Sequence, residues 1–481
     1  MTTLTIAWAA LPFVIGFTIY LLPRLDRWLA IAMTSLSLGY GLQLILSRSP
    51  LTLALLDSFG VTLIADSLSG FFIVTNALVT TAVIIYCWPR RKTAFFYTQA
   101  IILHGSVNAA FIAADLISLY VALEVIGIAA FLLIAYPRSD RAVWVALRYL
   151  FISNTAMLFY LVGAILVYKS NHSFSFAGLS HAPPEAIALI FIGLLTKGGI
   201  FVSGLWLPLT HSEAETPVSA MLSGVVVKAG VFPLLRCALM VDSVAPLIQF
   251  FGIATAVLGV GFALFEKDVK RLLALSTVSQ MGFILVAPVA GGFYALTHGL
   301  VKSALFLIAG NLPSRRFDEL RHQPISAPLW TCGAIASLSI SGLPPLAGFG
   351  AKVLTVKALV PWAEIVLTVA AVGTAIAFSK ILFLPHQSLK EGMTDVRQHW
   401  GLYGAIVLLL GSLLMANGVD LRVYTFANVG KSIAIAATGW LIYRLVVHRA
   451  EIRLPRVAEA FDHLIGAMSL ILILLFWMVW A

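Results

Sequence analysis

Six ionisable residues lie in otherwise apolar sequence: Glu124, Lys197, Lys228, His298, Lys302 and Lys352. Glu124 comes nine residues after Asp115 in DLISLYVALEVIGIAAFLLIAY, which at helical rise is ~13 Å into a hydrocarbon layer ~30 Å thick. Lys197 sits within ALIFIGLLTKGGIFVSGLWLPL, followed by Gly198, Gly199, Gly204 and Pro208. Pro208 removes a backbone donor, so the second half of that helix is expected to be unwound or kinked. Lys228 is eleven residues past Pro217 and eight before Arg236. His298 and Lys302, spaced i, i+4, share one helix face. Lys352 follows a break at Pro344 and Pro345.

A charge at the bilayer centre costs ~2.5 to 3.5 kcal/mol on insertion scales and normally faces the bundle interior with a partner. One acid, one histidine and four lysines at similar depth therefore read as a row of titratable groups. The chemistry they fit is proton transfer without covalent bonds. Burial disfavours a charged lysine and a nearby carboxylate favours it, so moving Glu124 relative to Lys197 would switch that lysine between holding and releasing a proton. Interrupted helices are where transporters place such sites, because freed carbonyls and half-helix ends can polarise ions and water. The competing structural readings are a static Glu124–Lys197 ion pair, independent structural lysines, and a helix-to-helix hydrogen bond from His298. His104, Asp57 and Asp66 are read as structural.

These positions require spanning helices. The chain has 481 residues, 60% hydrophobic and 11% charged, with a mean hydropathy of +0.98, which excludes an ordinary soluble enzyme. Apolar segments fall near 4–22, 28–47, 68–88, 96–113, 116–136, 143–168, 185–206, 217–240, 246–265, 270–288, 292–312, 326–360, 362–384, 401–418, 427–447 and 460–480. At ~20 residues each they leave no room for a soluble catalytic domain. The first reads as an anchor helix rather than a signal peptide, since Arg24 and Arg27 follow the apolar run.

Charge bias supports the count, because Lys and Arg collect in cytoplasmic loops. Odd-numbered loops hold nineteen: Arg24, Arg27, Arg90, Arg91, Lys92, Arg138, Arg141, Lys267, Lys270, Arg271, Arg315, Arg316, Arg321, Lys390, Arg397, Arg444, Arg449, Arg453 and Arg456. Even-numbered loops hold four, Arg48, Lys169, Arg236 and Arg422, so both termini face away from the basic side. Arg148, Lys380 and Lys431 are expected to snorkel from helix ends, and Lys357 is left open. The net charge of +10 is loop charge rather than a nucleic-acid footprint. Cys87, Cys237 and Cys332 form no CxxC pair, which suggests neither disulfide nor metal site. Gly259 with Gly261 does not complete GxGxxG, and GFGAK at 348–352 does not complete a Walker A loop. No cofactor or metal is expected, and no redox or hydrolytic site is found.

The stretches LYVALEVIGIAAFLLIAY, KGGIFVSGLWLPLTHSEAETPVSAMLSGVVVKAGVFPLLR, DVKRLLALSTVSQMGFIL, HGLVKSALFLIAG and SGLPPLAGFGAK, in this order over about 100–385, resemble the antiporter-like membrane subunits of respiratory complex I, related membrane hydrogenases and Mrp-type sodium/proton antiporters. The resemblance implies an all-α polytopic membrane protein of about 14–16 transmembrane helices, with two inverted five-helix repeats, each carrying a broken helix. It divides the chain into N-terminal helices (1–95), a first repeat (96–240), a second repeat (241–385) and C-terminal helices (386–481). By motif, Glu124 matches the family's fifth-helix glutamate, Lys197 the broken seventh-helix lysine and Lys228 the eighth-helix lysine. His298 and Lys302 match the eleventh-helix pair, and Lys352 the broken twelfth-helix charge.

Lys302 and Lys352 argue against the complex I member that has glutamate at the twelfth-helix position. The largest member's long C-terminal extension has no counterpart here. The Mrp D-type subunit and the smallest complex I antiporter-like subunit remain, with the former preferred, although LTHSEAETPVSA departs from the family's pattern after WLP. The implied function is proton translocation within a multi-subunit complex, exchanging protons for sodium or potassium. Its partners are other hydrophobic subunits and the lipid bilayer of a bacterial cell membrane or another energy-transducing membrane such as the thylakoid. The alternatives are a pumping subunit of a complex I-type or hydrogenase assembly, and a scaffold without transport of its own.

Overall fold

The computed structural model describes residues 2–47, 49–56, 60–387, 399–449 and 456–480. Arg48, Asp57, Lys390, Arg397 and Arg453 lie outside the described residues. The helices are α1 (Thr2–Leu21), α2 (Asp26–Leu46), α3 (Ser67–Cys87), α4 (Ala94–Ile112), α5 (Leu116–Ile134), α6 (Asp140–Asn171), α7 (Pro184–Gly198), α8 (Leu207–Glu213), α9 (Thr216–Met221) and α10 (Val227–Met240). They continue with α11 (Ala245–Phe265), α12 (Val269–Leu285), α13 (Pro288–Ala309), α14 (Phe317–Leu320), α15 (Ala327–Ser341), α16 (Ala347–Lys357), α17 (Pro361–Leu382), α18 (Trp400–Ala416), α19 (Phe426–Ile442) and α20 (Phe461–Trp480). Among the described residues fourteen helical stretches are long and apolar enough to cross a membrane. The shorter α12 and the pair α15–α16 fill the two remaining places in the alternation. The chain is a multi-pass, all-α membrane protein.

Polar residues fix where these apolar helices begin. Asp66, Asp115, Ser139 and Asp268 accept from the backbone N–H of Ser69, Ser118, Ala142 and Arg271 respectively, in the first turn that follows each, satisfying donors that a helix start leaves unpaired. Pro184, Pro288 and Pro361 open α7, α13 and α17, where their missing N–H costs nothing. One feature went unread in the sequence: Leu51–Leu56 pairs as an antiparallel strand with Gly60–Ala65. It is tied to the start of α5, with Thr62 N donating to Asp115 Oδ2 at 2.8 Å and Ala114 N to Thr62 O at 2.9 Å.

The ion pairs test sidedness independently of charge counting. Lys92 pairs with Glu215 at 2.7 Å, Arg141 with Glu213 at 3.4 Å, Arg315 with Asp268 at 3.1 Å, and Arg271 with Glu266 at 3.0 Å and with Glu459. All these residues belong to odd-numbered loops or their edges. Asp66 pairs with Arg236, and Glu364 with Lys431, at even-numbered ones. None of these pairs crosses between the two sets, as the sixteen-segment count requires. Eighteen-residue stretches of the helix starting at Thr216 and of α13 are buried throughout at the centre, whereas α19 and α20 are largely exposed at the rim.

Candidate functional site

α7 ends where glycine lets it. Gly199 adopts φ +66°, Ile200 N donates to Leu195 O at 2.9 Å and Gly199 N to Thr196 O at 3.2 Å, the paired closing bonds of a left-handed helix cap. A 3₁₀ turn over Phe201–Trp206 follows, and Trp206 Nε1 caps Thr196 O at 3.0 Å. The second half of the segment is unwound, as expected, but the break is set at Gly199 rather than by Pro208: Pro208 lies in the first turn of α8, where proline is tolerated, so it restarts the helix that Gly199 ended. The twelfth-segment break falls where expected. α15 closes at Gly342, φ +87°, and α16 begins only at Ala347, with Pro344 and Pro345 between them.

The first group gathers around Lys197. Its Nζ donates to Leu123 O at 2.9 Å, beside Glu124 but not to its carboxylate. No ion pair among the described residues joins Glu124 to Lys197, and one Glu124 oxygen is buried without a hydrogen-bond partner. Gly127 makes room for the amine, since a Cβ there would lie 3.0 Å from Nζ and 3.6 Å from Ser153 Oγ. At the break α10 approaches so closely that a side chain on Gly230 would strike the backbone of Gly198. Lys197 and Lys228 thus sit on adjoining backbones, with no hydrogen bond between their amines.

The second group is closely linked, through shared backbone carbonyls as well as side chains. Leu222–Val226 forms a π turn, which displaces carbonyls from their usual partners. Lys228 Nζ uses one of them, Ser223 O at 3.1 Å, and lies 3.1 Å from His298 Nδ1. Ser223 Oγ meets Thr277 Oγ1 at 2.7 Å, and Thr277 Oγ1 donates to Leu273 O at 2.9 Å. Lys302 Nζ reaches the same carbonyl at 2.8 Å and also Ser276 Oγ, beneath the Phe378 ring. His298 and Lys302 share α13 as expected, joined through α12 as well as by their spacing.

From His298 a small cavity leads to Lys352. It is lined by Gln280, Tyr294, Thr297, His298, Ser339 and Lys352, among others, and has about 10 Å³ open to water centres, roughly what one water needs. Three buried polar atoms on these lining residues have no protein partner: His298 Nε2, Gln280 Nε2 and Ser339 Oγ. Lys352 Nζ donates to Ser341 O at 3.2 Å in the break and lies over Phe283. Beyond it a cavity of about 240 Å³ runs between α16, α17 and α19 past Lys357, Glu364 and Lys431.

Several participants escaped the sequence reading. Ser276, Thr277 and Gln280 recur at helical spacing in α12 and were a readable signal; the π turn at Ser223 had none. His211 in α8 is wholly buried, stacked on Phe306 at 4.7 Å, and neither ring nitrogen has a hydrogen-bond partner. The snorkelling expected of Arg148 and Lys380 is also corrected. Both are buried and donate to backbone oxygens, Arg148 to Glu459 O and Lys380 to Leu264 O at 2.6 Å and Glu266 O at 2.8 Å. Carbonyls left open at chain and helix ends accept from such cations. Among the described residues no group of three or more His, Cys, Asp or Glu is placed to hold a metal.

Two broken helices buried in a bundle, each bearing a lysine, define a polytopic protein of the transporter class. The family described as NADH:quinone oxidoreductase/Mrp antiporter, TM matches residues 113–378, more than half the chain, and the protein belongs to that family. NADH-quinone oxidoreductase subunit N of Desulforudis audaxviator is 32% identical over 364 residues, covering 67% of this chain and 72% of the relative. The D-type subunit of the Na(+)/H(+) antiporter of Alkalihalophilus pseudofirmus is 28% identical over 357 residues, with the same coverage of each. A chain in the structure of the Mrp complex from Dietzia sp. superposes with a TM-score of 0.74 at 23% identity, covering 97% of this chain and 59% of that one.

Proposed function

We propose that this chain is a proton-translocating subunit of a multi-subunit membrane complex, and that Glu124, Lys197, Lys228, His298, Lys302 and Lys352 carry the proton. One observation supports this above the others: all four midplane lysines donate to backbone carbonyls, Leu123 O, Ser223 O, Leu273 O and Ser341 O, rather than to carboxylates. A carbonyl accepts from a neutral amine as well as from an ammonium, so the amines keep their places in both protonation states. A carboxylate partner would bias each lysine towards the charged state. The Lys228–His298 contact passes a proton between amine and imidazole without moving a helix. The cavity beside His298 has room for one water, which would continue the path to Lys352 and the outer cavity. Glu124, next to the carbonyl that holds Lys197, biases the first lysine as α5 shifts.

In this reading residues 96–240 and 241–385 are two units, each with its own broken helix, between N-terminal helices (1–95) and C-terminal helices (386–481). The assembly is a Mrp-type cation/proton antiporter exchanging sodium or potassium, in line with the D-type antiporter relative. A complex I-type assembly is the second reading, supported by the oxidoreductase relative at 32% identity. Co-purification decides between them: small hydrophobic subunits indicate the antiporter, iron–sulfur and quinone-binding partners the other. Lys197→Ala in the assembled complex is expected to abolish proton movement in everted vesicles while assembly survives. Transport at the parent rate would remove Lys197 from the path and favour a scaffold.

A further inference from the structure

The outer cavity has one wall that lies outside the family-matched region. Residues 113–378 include α16 and most of α17 but not α19, and α19 brings Asn428, Lys431, Ser432 and Ile435 to the cavity that Lys352 faces. Ser432 Oγ donates to Gly342 O. The break therefore presents two consecutive carbonyls with side-chain partners: Ser341 O receives Lys352, and Gly342 O receives α19. Next to Ser432 in sequence, Lys431 forms an ion pair with Glu364 of α17. Lys357, also on the cavity wall, is exposed.

The remainder of α19 is weakly held. Only 17% of its spanning window is buried, and its main helix contact is with α17. With so little of it packed against the rest of the chain, its polar ties to the bundle help set its position. Those ties, Lys431–Glu364 and Ser432–Gly342 O, both face the cavity that leads outward from Lys352.

We propose that α19 is the outer gate of the Lys352 cavity, with Lys431 and Glu364 as the latch and Ser432 as the pin that fastens the gate to the helix break. These three are positioning residues: they set how freely Lys352 communicates with the even-loop side, and they carry no proton themselves. The inference rests on the proposed role of Lys352. While the latch is closed Lys352 reaches the outer phase only through the narrow approach past Lys357 and the Lys431–Glu364 pair, and when α19 swings out that approach widens.

The experiment uses the assembled complex with Cys332 replaced by Ala. Glu364→Cys and Lys431→Cys are combined, and a short reducible bis-thiosulfonate linker joins them, with linkage read by mass. Linking is expected to lower proton movement in everted vesicles about tenfold or more, as a lid held shut does, and reduction to restore it. Each single-cysteine variant should keep its rate through the same treatment. A linked double variant that transports at its unlinked rate overturns the gate, and so does failure of the two positions to link. The charge exchange Glu364→Lys with Lys431→Glu should recover the rate that Glu364→Lys alone loses; no recovery also overturns it. Lys352→Ala separates the two claims. If that variant still transports, the proposed role of Lys352 fails, whereas an inactive Lys352→Ala beside an active linked variant removes the gate alone.

Discussion

A buried lysine is tolerated in a bilayer when its amine finds an oxygen, and at each of the four sites here the oxygen belongs to the backbone. Depth along the chain located those lysines from sequence, because apolar flanks of known rise place a charge near the midplane. Their acceptors were not legible. Leu123 O serves Lys197 only because residue 127 has no side chain, and nothing in the pattern of charges says so. The strongly paired acid Asp66, outside the spans, behaves differently. Burial alone would raise the Asp66 carboxyl, but its bonds to Arg236 and the N–H and hydroxyl of Ser69 outweigh burial and hold it below its ordinary value of 3.8. A carboxyl lowered in the folded state adds stability above its unfolded value, and that stability is lost as pH falls through the lower folded value. Asp66→Asn should therefore cost about 1–3 kcal/mol at pH 7, less than a fully buried pair because the side chain is partly exposed. Thermal unfolding in detergent should show the gap to the parent narrowing near pH 3. An equal gap at both pH values would mean that the ion pair contributes nothing.

Helix interruptions are the second scale, and they show which sequence signals compete. Pro208 drew attention as a breaker, yet the break lies at Gly199, nine residues earlier, because a residue at positive φ ends a helix whereas proline in a first turn begins one. At the other break the glycine and the prolines coincide, so the sequence pointed to the right place. The π turn over Leu222–Val226, where Ser223 meets Thr277, left no mark in composition. Gly342 makes the consequence measurable. At φ +87° any other residue is strained by about 1–2 kcal/mol, and a Cβ would sit 2.8 Å from Lys352 Cδ. Gly342→Ala should lower stability by roughly that amount and slow proton movement by displacing Lys352. Gly411 lies inside α18 with nothing within 4 Å of an added Cβ, so Gly411→Ala should be neutral or stabilising by up to about 1 kcal/mol. Equal effects of the two substitutions on unfolding and transport would show that the break places no demand on its glycine.

At the scale of the whole molecule, the last two helices are each set against one interruption. α19 bonds to Gly342 O, and α20 packs on α7 and the 3₁₀ turn that follows it. The approach to α20 is fastened on the basic side by Glu459, whose carboxylate pairs with Arg271 of α12 and whose backbone oxygen accepts from Arg148 of α6. One residue thus ties helices from both parts of the central bundle to the final helix. Charge counting had assigned Arg271 and Arg456 to loops and Arg148 to snorkelling, since sequence reports the side of the membrane on which a cation lies but not which distant acid it meets. Arg271 is buried and keeps Glu266 if Glu459 is neutralised. The loss is therefore that of one charged hydrogen bond, about 1.5–3 kcal/mol, rather than of a wholly orphaned charge. Arg456 meets Glu266 at 3.6 Å but is 65% exposed, and exposed pairs contribute about 0–1 kcal/mol. Glu459→Gln should accordingly lower the thermal midpoint clearly more than Arg456→Ala, and should speed proteolysis between α19 and α20, because the fastened segment is released. If Arg456→Ala costs as much as Glu459→Gln, general charge on the basic face, not the Glu459 clamp, holds the final helix against the broken one.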